Sequence, residues 1–103
     1  GVDVSHALLV AYEPVWAIGT GLAATSEQAQ AMSTLIRLCL SDLYGHQTAE
    51  CIPILYGGSV SPANIVEFIS QPDVDGALVG GASLDVQKFA EIVRVTAQIR
   101  SLP

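Results

Sequence analysis

The sequence predicts an α/β fold in which parallel strands alternate with helices. Three observations carry that reading. Short apolar runs occur three times, at Ala7-Leu8-Leu9-Val10-Ala11, Cys51-Ile52-Pro53-Ile54-Leu55-Tyr56 and Val74-Asp75-Gly76-Ala77-Leu78-Val79. They look hydrophobic on both faces, as strands covered on two sides do. After each run comes a turn-forming pair (Glu13-Pro14, Gly57-Gly58 or Gly80-Gly81) and then a stretch with apolar residues at helical spacing. Strands joined by helices of this length must run parallel with right-handed crossovers, so the three carboxyl ends and their loops gather on one side.

Composition bounds the rest. At 103 residues the chain is one domain or a piece of one. Half of its residues are hydrophobic and 14% are charged, which supplies a core and argues against disorder. No apolar run approaches the roughly 20 residues needed to span a bilayer, and no cleavable signal opens the chain. The chain begins at Gly1-Val2-Asp3 without an initiator methionine, so a truncated or excised piece is expected. A net charge of −6, with Arg37, Lys88, Arg94 and Arg100 as the strong bases, argues against a nucleic-acid surface. Any anionic ligand must then be held mainly by backbone N–H groups. Cys39 and Cys51 have no metal-ligand spacing and read as buried free thiols of a cytosolic protein.

In chain order, residues 1–6 read as a polar lead-in and 7–12 as the first strand. Pro14 fixes its own φ and biases Glu13 away from helix, so the strand should stop there with the carboxylate held extended. Residues 13–24 form a small-residue loop with glycine hinges. Thr25-Ser26-Glu27-Gln28 opens a long helix, with Ser26 or Thr25 able to cap it and Glu27 near the positive end of the dipole. Its apolar positions are Ala29, Met32, Leu35, Ile36, Cys39, Leu40 and Leu43, and Gly45 stops it near residue 44. The second strand covers 51–56. Ser61-Pro62-Ala63-Asn64 then offers a cap with proline at the first helical position, followed by the apolar stripe Ile65, Val66, Phe68 and Ile69. The third strand covers 74–79, and a last helix runs from about Asp85 to Ile99 with Phe89, Ile92, Val93, Val95 and Ala97.

Glu13 reads in two ways. It is either a solvated acid at a strand end or a base presented at the carboxyl end of a strand beneath a loop with glycine hinges. Trp16 and Ile18 favour the second, because apolar loop residues that dock onto nothing cost solubility. Gly57-Gly58 and Gly80-Gly81 each lie between strand and helix, where absent side chains let the backbone approach a ligand and a helix start offers N–H groups. Ser59 adds a hydroxyl. Two such pairs in successive units make a phosphate cradle that needs no Lys or Arg, and the last two loops of a (β/α)8 barrel are a recurrent phosphate site.

Tyr12-Glu13-Pro14-Val15-Trp16-Ala17-Ile18-Gly19-Thr20-Gly21, Tyr56-Gly57-Gly58-Ser59-Val60 and Leu78-Val79-Gly80-Gly81-Ala82-Ser83-Leu84 resemble the triosephosphate isomerase family, in order and spacing. The likeness covers essentially the whole chain, and the first motif is very specific. It implies a parallel (β/α)8 TIM barrel, with residues 1–103 supplying about three carboxyl-terminal βα units of a single domain. It further implies that Glu13 is the general base moving a proton between adjacent carbons of a triose phosphate, without metal or organic cofactor. Gly19, Ser59, Gly80 and Gly81 would bind phosphate, and Ile18 and Leu78 would wall the enediolate. Pro14, Val15 and Trp16 correspond to the leading hinge of a lid that continues through Ala17, Thr20 and Gly21. Leu22-Ala23-Ala24 corresponds to the trailing hinge, and Tyr56 with Ser59 to the latch. The implied setting is a cytoplasmic homodimer of glycolysis and gluconeogenesis, with no membrane or nucleic-acid partner.

Some of the family's parts lie outside this chain. By the resemblance, its catalytic lysine, electrophilic histidine and a further glutamate belong to the first half of the barrel. His6, before the first strand, and His46, in the loop before the second, read as surface or structural histidines on the far face. The trailing hinge lacks the lysine of many members. Arg37 with Asp73 and Asp75 reads either as a structural ion pair behind the barrel or as solvated charges. A three-stranded piece would leave its inner sheet face uncovered, so the chain alone is expected to be inactive and to associate or pack poorly. A non-catalytic phosphate-binding module, or a half-barrel awaiting the amino-terminal half, is the alternative reading.

Overall fold

A computed structural model describes residues 8–17 and 24–100. Three short strands, β1 (Val10–Tyr12), β2 (Ile54–Tyr56) and β3 (Gly76–Ala77), form one parallel sheet in the order β1-β2-β3. The register pairs Tyr12 with Tyr56 and Tyr56 with Ala77, so the carboxyl ends lie level. Helices α1 (Ser26–Tyr44), α2 (His46–Cys51), α3 (Ile65–Ile69) and α4 (Val86–Arg100) fill the connections and the carboxyl-terminal end. The strand–helix alternation and the parallel direction are those the sequence predicts.

Each strand is shorter than its apolar run. Residues 46–51 form α2 instead of leading into β2, so Cys51 is helical and His46 opens a helix rather than sitting in a loop. Pro53 then supplies a carbonyl, to Val10 N–H at 2.9 Å, but has no N–H of its own for the ladder. Ser61–Asn64 is a turn, and α3 starts only at Ile65. Asn64 does not cap it, because its side chain is engaged with Ser61 N–H at 2.8 Å and the Ser59 carbonyl at 2.9 Å.

The bounds of α1 match the capping signals. The Thr25 hydroxyl accepts from Gln28 N–H and the Gln28 side chain accepts from Thr25 N–H, which is a capping box. Gly45 ends the helix with φ at 91°, a conformation that L side chains rarely adopt. The buried face of α1 differs from the predicted stripe. It runs through Ser26, Ala29, Ser33, Arg37 and Leu40, whereas Met32, Leu35 and Leu43 are exposed. Both cysteines are free and exposed, which corrects the expectation of buried thiols: Cys39 falls off the buried face of α1 and Cys51 ends α2. On α4, Ile92 and Val95 are buried while Phe89 and Val93 remain exposed.

The main core joins β2 and the loop after it to α3, α4 and the start of α1. It holds Ala24, Ala29, Tyr56, Ile65, Phe68, Ile69, Val74, Ile92 and Val95. Leu40, Ala49 and Ile52 form a second cluster beneath β1 and α2. Burying an Ile or Val side chain contributes about 1.5–3 kcal/mol, so Ile54, Ile65, Ile69 and Val74 anchor this layer. The opposite face of β1 is open. Leu9 is 57% exposed and Ala11 is exposed, which is the uncovered inner face expected of a partial barrel.

At the amino ends of the strands, Arg37 is buried and all five of its N–H donors are used. They reach Asp73 Oδ1 at 2.9 Å, Asp75 Oδ2 at 2.9 Å, and the carbonyls of Ala49, Ile52 and Asp73 at 2.8, 3.0 and 3.3 Å. This settles the two readings of these charges in favour of a structural ion pair. It fastens α1 to the segments entering β2 and β3, on the side away from the glycine turns.

Candidate active site

The sheet register brings the suggestive loops together. Gly57 N–H donates to the Tyr12 carbonyl at 2.7 Å, and Leu78 N–H donates to the Tyr56 carbonyl at 2.9 Å. These bonds lie one residue beyond the ladder and set Glu13, Gly57 and Leu78 side by side at the carboxyl end. Glu13 is exposed and Pro14 is buried behind it. Val15–Ala17 form one 3-10 turn, with Val15 77% and Trp16 55% exposed. A groove of about 320 Å³ between Tyr12, Trp16, Gln28, Ala31 and Met32 separates this turn from the first turns of α1. Ile18, Gly19, Thr20 and Gly21 lie outside the described residues, as do Leu22, Ala23 and His6.

The two glycine pairs do different things. A Cβ on Gly57 would stand 2.7 Å from Glu13 Cγ and 3.5 Å from its Oε1. A Cβ on Gly58 would stand 2.0 Å from the Tyr56 hydroxyl oxygen. Neither residue has positive φ, so space and not conformation requires glycine at both positions. A Cβ at Gly57 would crowd the Glu13 side chain and one at Gly58 the Tyr56 phenol. The signal in the sequence was the glycine pair itself, but its occupants come from tertiary packing. At Gly80 and Gly81, by contrast, a Cβ would meet no protein atom within 4 Å, so that turn faces open space. A short 3-10 turn, Gly81–Leu84, follows, in which the N–H and hydroxyl of Ser83 both donate to the Gly80 carbonyl, at 2.9 and 2.6 Å. Leu78 is 47% exposed beside it.

Tyr56 points the other way, into the core. It is 1% exposed, and its hydroxyl accepts the Ala24 N–H at 3.1 Å, across 32 residues of sequence. That bond ties the last strand position of β2 to the residue just before the α1 cap. Burial pushes the Tyr56 phenol above the usual tyrosine range, although the bond from Ala24 works against it, so the group stays an uncharged hydroxyl at neutral pH. His46, at the start of α2 and remote from Glu13 in the topology, is exposed. Among the described residues no group of three or more His, Cys, Asp or Glu side chains is placed to hold a metal ion, and no helix is long and apolar enough to cross a membrane.

Comparison with known proteins agrees with this arrangement. The triosephosphate isomerase family model matches residues 1–96. The triosephosphate isomerase of Moorella thermoacetica is 62% identical over 95 residues, 90% of this chain and 38% of that protein. That of Lactobacillus acidophilus is 57% identical over 86 residues, 84% of this chain and 34% of the relative. For Thermus thermophilus the figures are 55% over 90 residues, 87% and 36%. The chain therefore spans a little over a third of the length of the curated relatives it matches. With a level parallel sheet, a carboxylate at the end of β1 and a family model covering nearly every residue, the chain belongs to the triosephosphate isomerase family and supplies three βα units of its (β/α)8 barrel.

Proposed function

We propose that this chain carries the base and the phosphate loops of a triose-phosphate isomerase, interconverting dihydroxyacetone phosphate and D-glyceraldehyde 3-phosphate. Glu13 removes a proton α to the substrate carbonyl and returns it to the neighbouring carbon of the enediolate. A carboxylate does this well only when correctly placed and shielded from water, which the loop after Pro14 provides on closing. The family is itself the well-known case of a glutamate base working beneath a water-excluding loop. Gly19, Ser59, Gly80 and Gly81 hold the phosphate through backbone N–H groups, and Ile18 and Leu78 wall the enediolate. Pro14, Val15 and Trp16 hinge the lid, Ala17, Thr20 and Gly21 continue it, and Tyr56 latches its trailing end. Closure also keeps the enediolate from losing its phosphate. Residues 1–103 form the carboxyl-terminal part of one barrel domain. The other strands, with the remaining catalytic groups, complete it in a cytoplasmic homodimer serving glycolysis and gluconeogenesis.

The observation that carries this reading is the placement of Glu13. Its side chain stands at the open end of the sheet, in space that only a glycine at position 57 leaves, level with the residues that lead into the Gly80–Gly81 turn. The test is a graft in which this chain replaces the matching segment of the Moorella thermoacetica relative. Isomerisation by the graft, reduced by orders of magnitude in Glu13→Asp, is the expected result. An active graft indifferent to Glu13 would refute the assignment. A second reading, a half-barrel that serves only as an assembly partner, is favoured by the open face at Leu9 and Ala11. It predicts assembly with the other strands and no effect of Glu13 on anything measured.

A further inference from the structure

Asp75-Gly76 is the one Asp–Gly pair in the chain. The other aspartates, Asp3, Asp42, Asp73 and Asp85, precede Val or Leu, and Asn64 precedes Ile, so a bulky side chain shields the next peptide nitrogen. Glycine offers no such cover. The Gly76 nitrogen can therefore bond to Asp75 Cγ and close a succinimide ring, its proton and the carboxyl hydroxyl leaving as water. A second water reopens the ring at either carbonyl. One opening restores aspartate and the other leaves isoaspartate, in which the main chain runs through Cβ. The sequence consumes only water and returns it.

The structure shows why the pair is there and what restrains it. Asp75 Oδ2 accepts from Arg37 at 2.9 Å and from the Ile54 N–H at 2.9 Å, while the Asp75 N–H donates to the Ile54 carbonyl at 2.8 Å. Gly76 is buried opposite Leu55 in the β2–β3 register, and a Cβ there would stand 2.9 Å from Leu55 Cδ2. Sheet packing thus calls for glycine at 76, and the Arg37 cluster for aspartate at 75. The same contacts oppose the ring: to reach the Gly76 nitrogen the carboxyl must give up both donors, and the entry to β3 must open. The Asp75 side chain is 34% exposed, so water reaches it once that happens.

We propose that Asp75-Gly76 is a site of spontaneous isoaspartate formation, held shut in the folded sheet by the Arg37 and Ile54 contacts on the Asp75 carboxylate. Its rate follows local opening at the entry to β3 and not unfolding of the whole chain. The extra main-chain atom falls one residue before the two-residue strand. It displaces the pairing of Ala77 with Tyr56 and, beyond it, Leu78 and the Gly80–Gly81 turn. The inference is independent of the role given to Glu13.

The test holds the 103-residue chain at neutral pH with and without urea. Isoaspartate is read by methyl transfer from S-adenosylmethionine with an isoaspartyl methyltransferase, and its position by peptide mapping. In urea it should collect at residue 75 ahead of every other aspartate, and Asp75→Glu, whose longer side chain cannot close the same ring, should lose it. Without urea it should form at least about tenfold more slowly. Arg37→Met should then speed it roughly tenfold, the size of a hydrogen bond to a charged group. That gain should exceed any in exchange of the Gly57 N–H, which is bonded to the Tyr12 carbonyl away from β3. If Arg37→Met unfolds the chain, both rates rise together, and Arg37→Lys decides the question. It keeps the charge but not the fork, so isoaspartate should rise severalfold while Gly57 stays protected. Isoaspartate spread over the other aspartates in urea, equal rates with and without urea, or no separation from Gly57 exchange in Arg37→Lys would overturn the proposal.

Discussion

Alanine at position 57 would bring a methyl carbon to 2.7 Å from Glu13 Cγ and 3.3 Å from the Tyr12 carbonyl oxygen. Ordinary contact begins at 3.4 Å, so something must move by 0.7 Å or more. The strand cannot give easily, because Gly57 N–H is bonded to that carbonyl at 2.7 Å. Glu13 can, since its side chain is exposed and rotates at modest cost. The carboxylate is therefore the part that shifts. A misplacement of about 1 Å in a reacting group costs roughly 100-fold in rate, equivalent to about 2.7 kcal/mol of barrel-bound transition-state stabilisation. Stability should fall by less than the ~1–3 kcal/mol typical of overpacking in a closed core, because the displaced group has solvent to enter. The assay is steady-state isomerisation by the graft, with thermal melting in parallel. The expected result is a kcat about two orders of magnitude lower, a nearly unchanged KM and a nearly unchanged melting temperature. A Gly57→Ala graft within about threefold of the parent in kcat would refute the claim that this glycine seats the base.

Two further predictions concern the opposite end of the sheet. Arg37→Met would take the guanidinium from the Ala49 and Ile52 carbonyls and from the Asp73 and Asp75 carboxylates, which keep donors from Gln30, Thr34 and the Ile54 N–H and are partly exposed, a loss of about 1.5–3 kcal/mol readable by urea unfolding of the graft. Less than about 1 kcal/mol would return this cluster to the class of solvated surface pairs. Burial pushes the Asp73 carboxyl upward, but hydrogen bonds from Gln30, Thr34 and Arg37 together with the Arg37 charge outweigh it and hold the group below the usual carboxylate range. A depressed folded value stabilises the fold above the unfolded one. The contribution is present above pH ~4 and is lost as the pH falls through the folded value. Asp73→Asn should remove that acid leg from the stability profile, and a profile that keeps it would count against the assignment.

The parts legible in the sequence were those with local causes. Thr25 and Gln28 cap α1 three residues apart, Gly45 ends it with positive φ, and Pro14 closes the ladder right after Tyr12, so none of these needed knowledge of distant residues. The strand-to-turn pattern was equally local, and it placed Glu13 and Gly80–Gly81 at one end of the sheet. The buried face of α1 is not legible from spacing, because Met32, Leu35 and Leu43 have the right period whereas the side that is buried includes Ser33 and Arg37. A buried guanidinium makes sense only once Asp73 and Asp75 arrive from 36 and 38 positions away. Helix α2 is not legible in the sequence because six largely polar residues carry no useful period, and Cys51 is its last residue and not the first of a strand. At Gly57 and Gly58 the need for glycine was visible, but what fills the space is the Glu13 side chain and the Tyr56 phenol, which only the register and the core reveal.

Glu13 is proposed as the base of a barrel that the other strands complete. The most direct measurement is triose-phosphate isomerisation by the 103-residue chain alone, and after mixing with the complementary amino-terminal portion of the Moorella thermoacetica relative, each with Glu13 and with Glu13→Asp. With Glu13 as that base, the chain alone should show no turnover, the assembled mixture should isomerise, and the Glu13 variant should lose that activity. A mixture that demonstrably assembles yet does not isomerise, or one that isomerises equally well without Glu13, would contradict it.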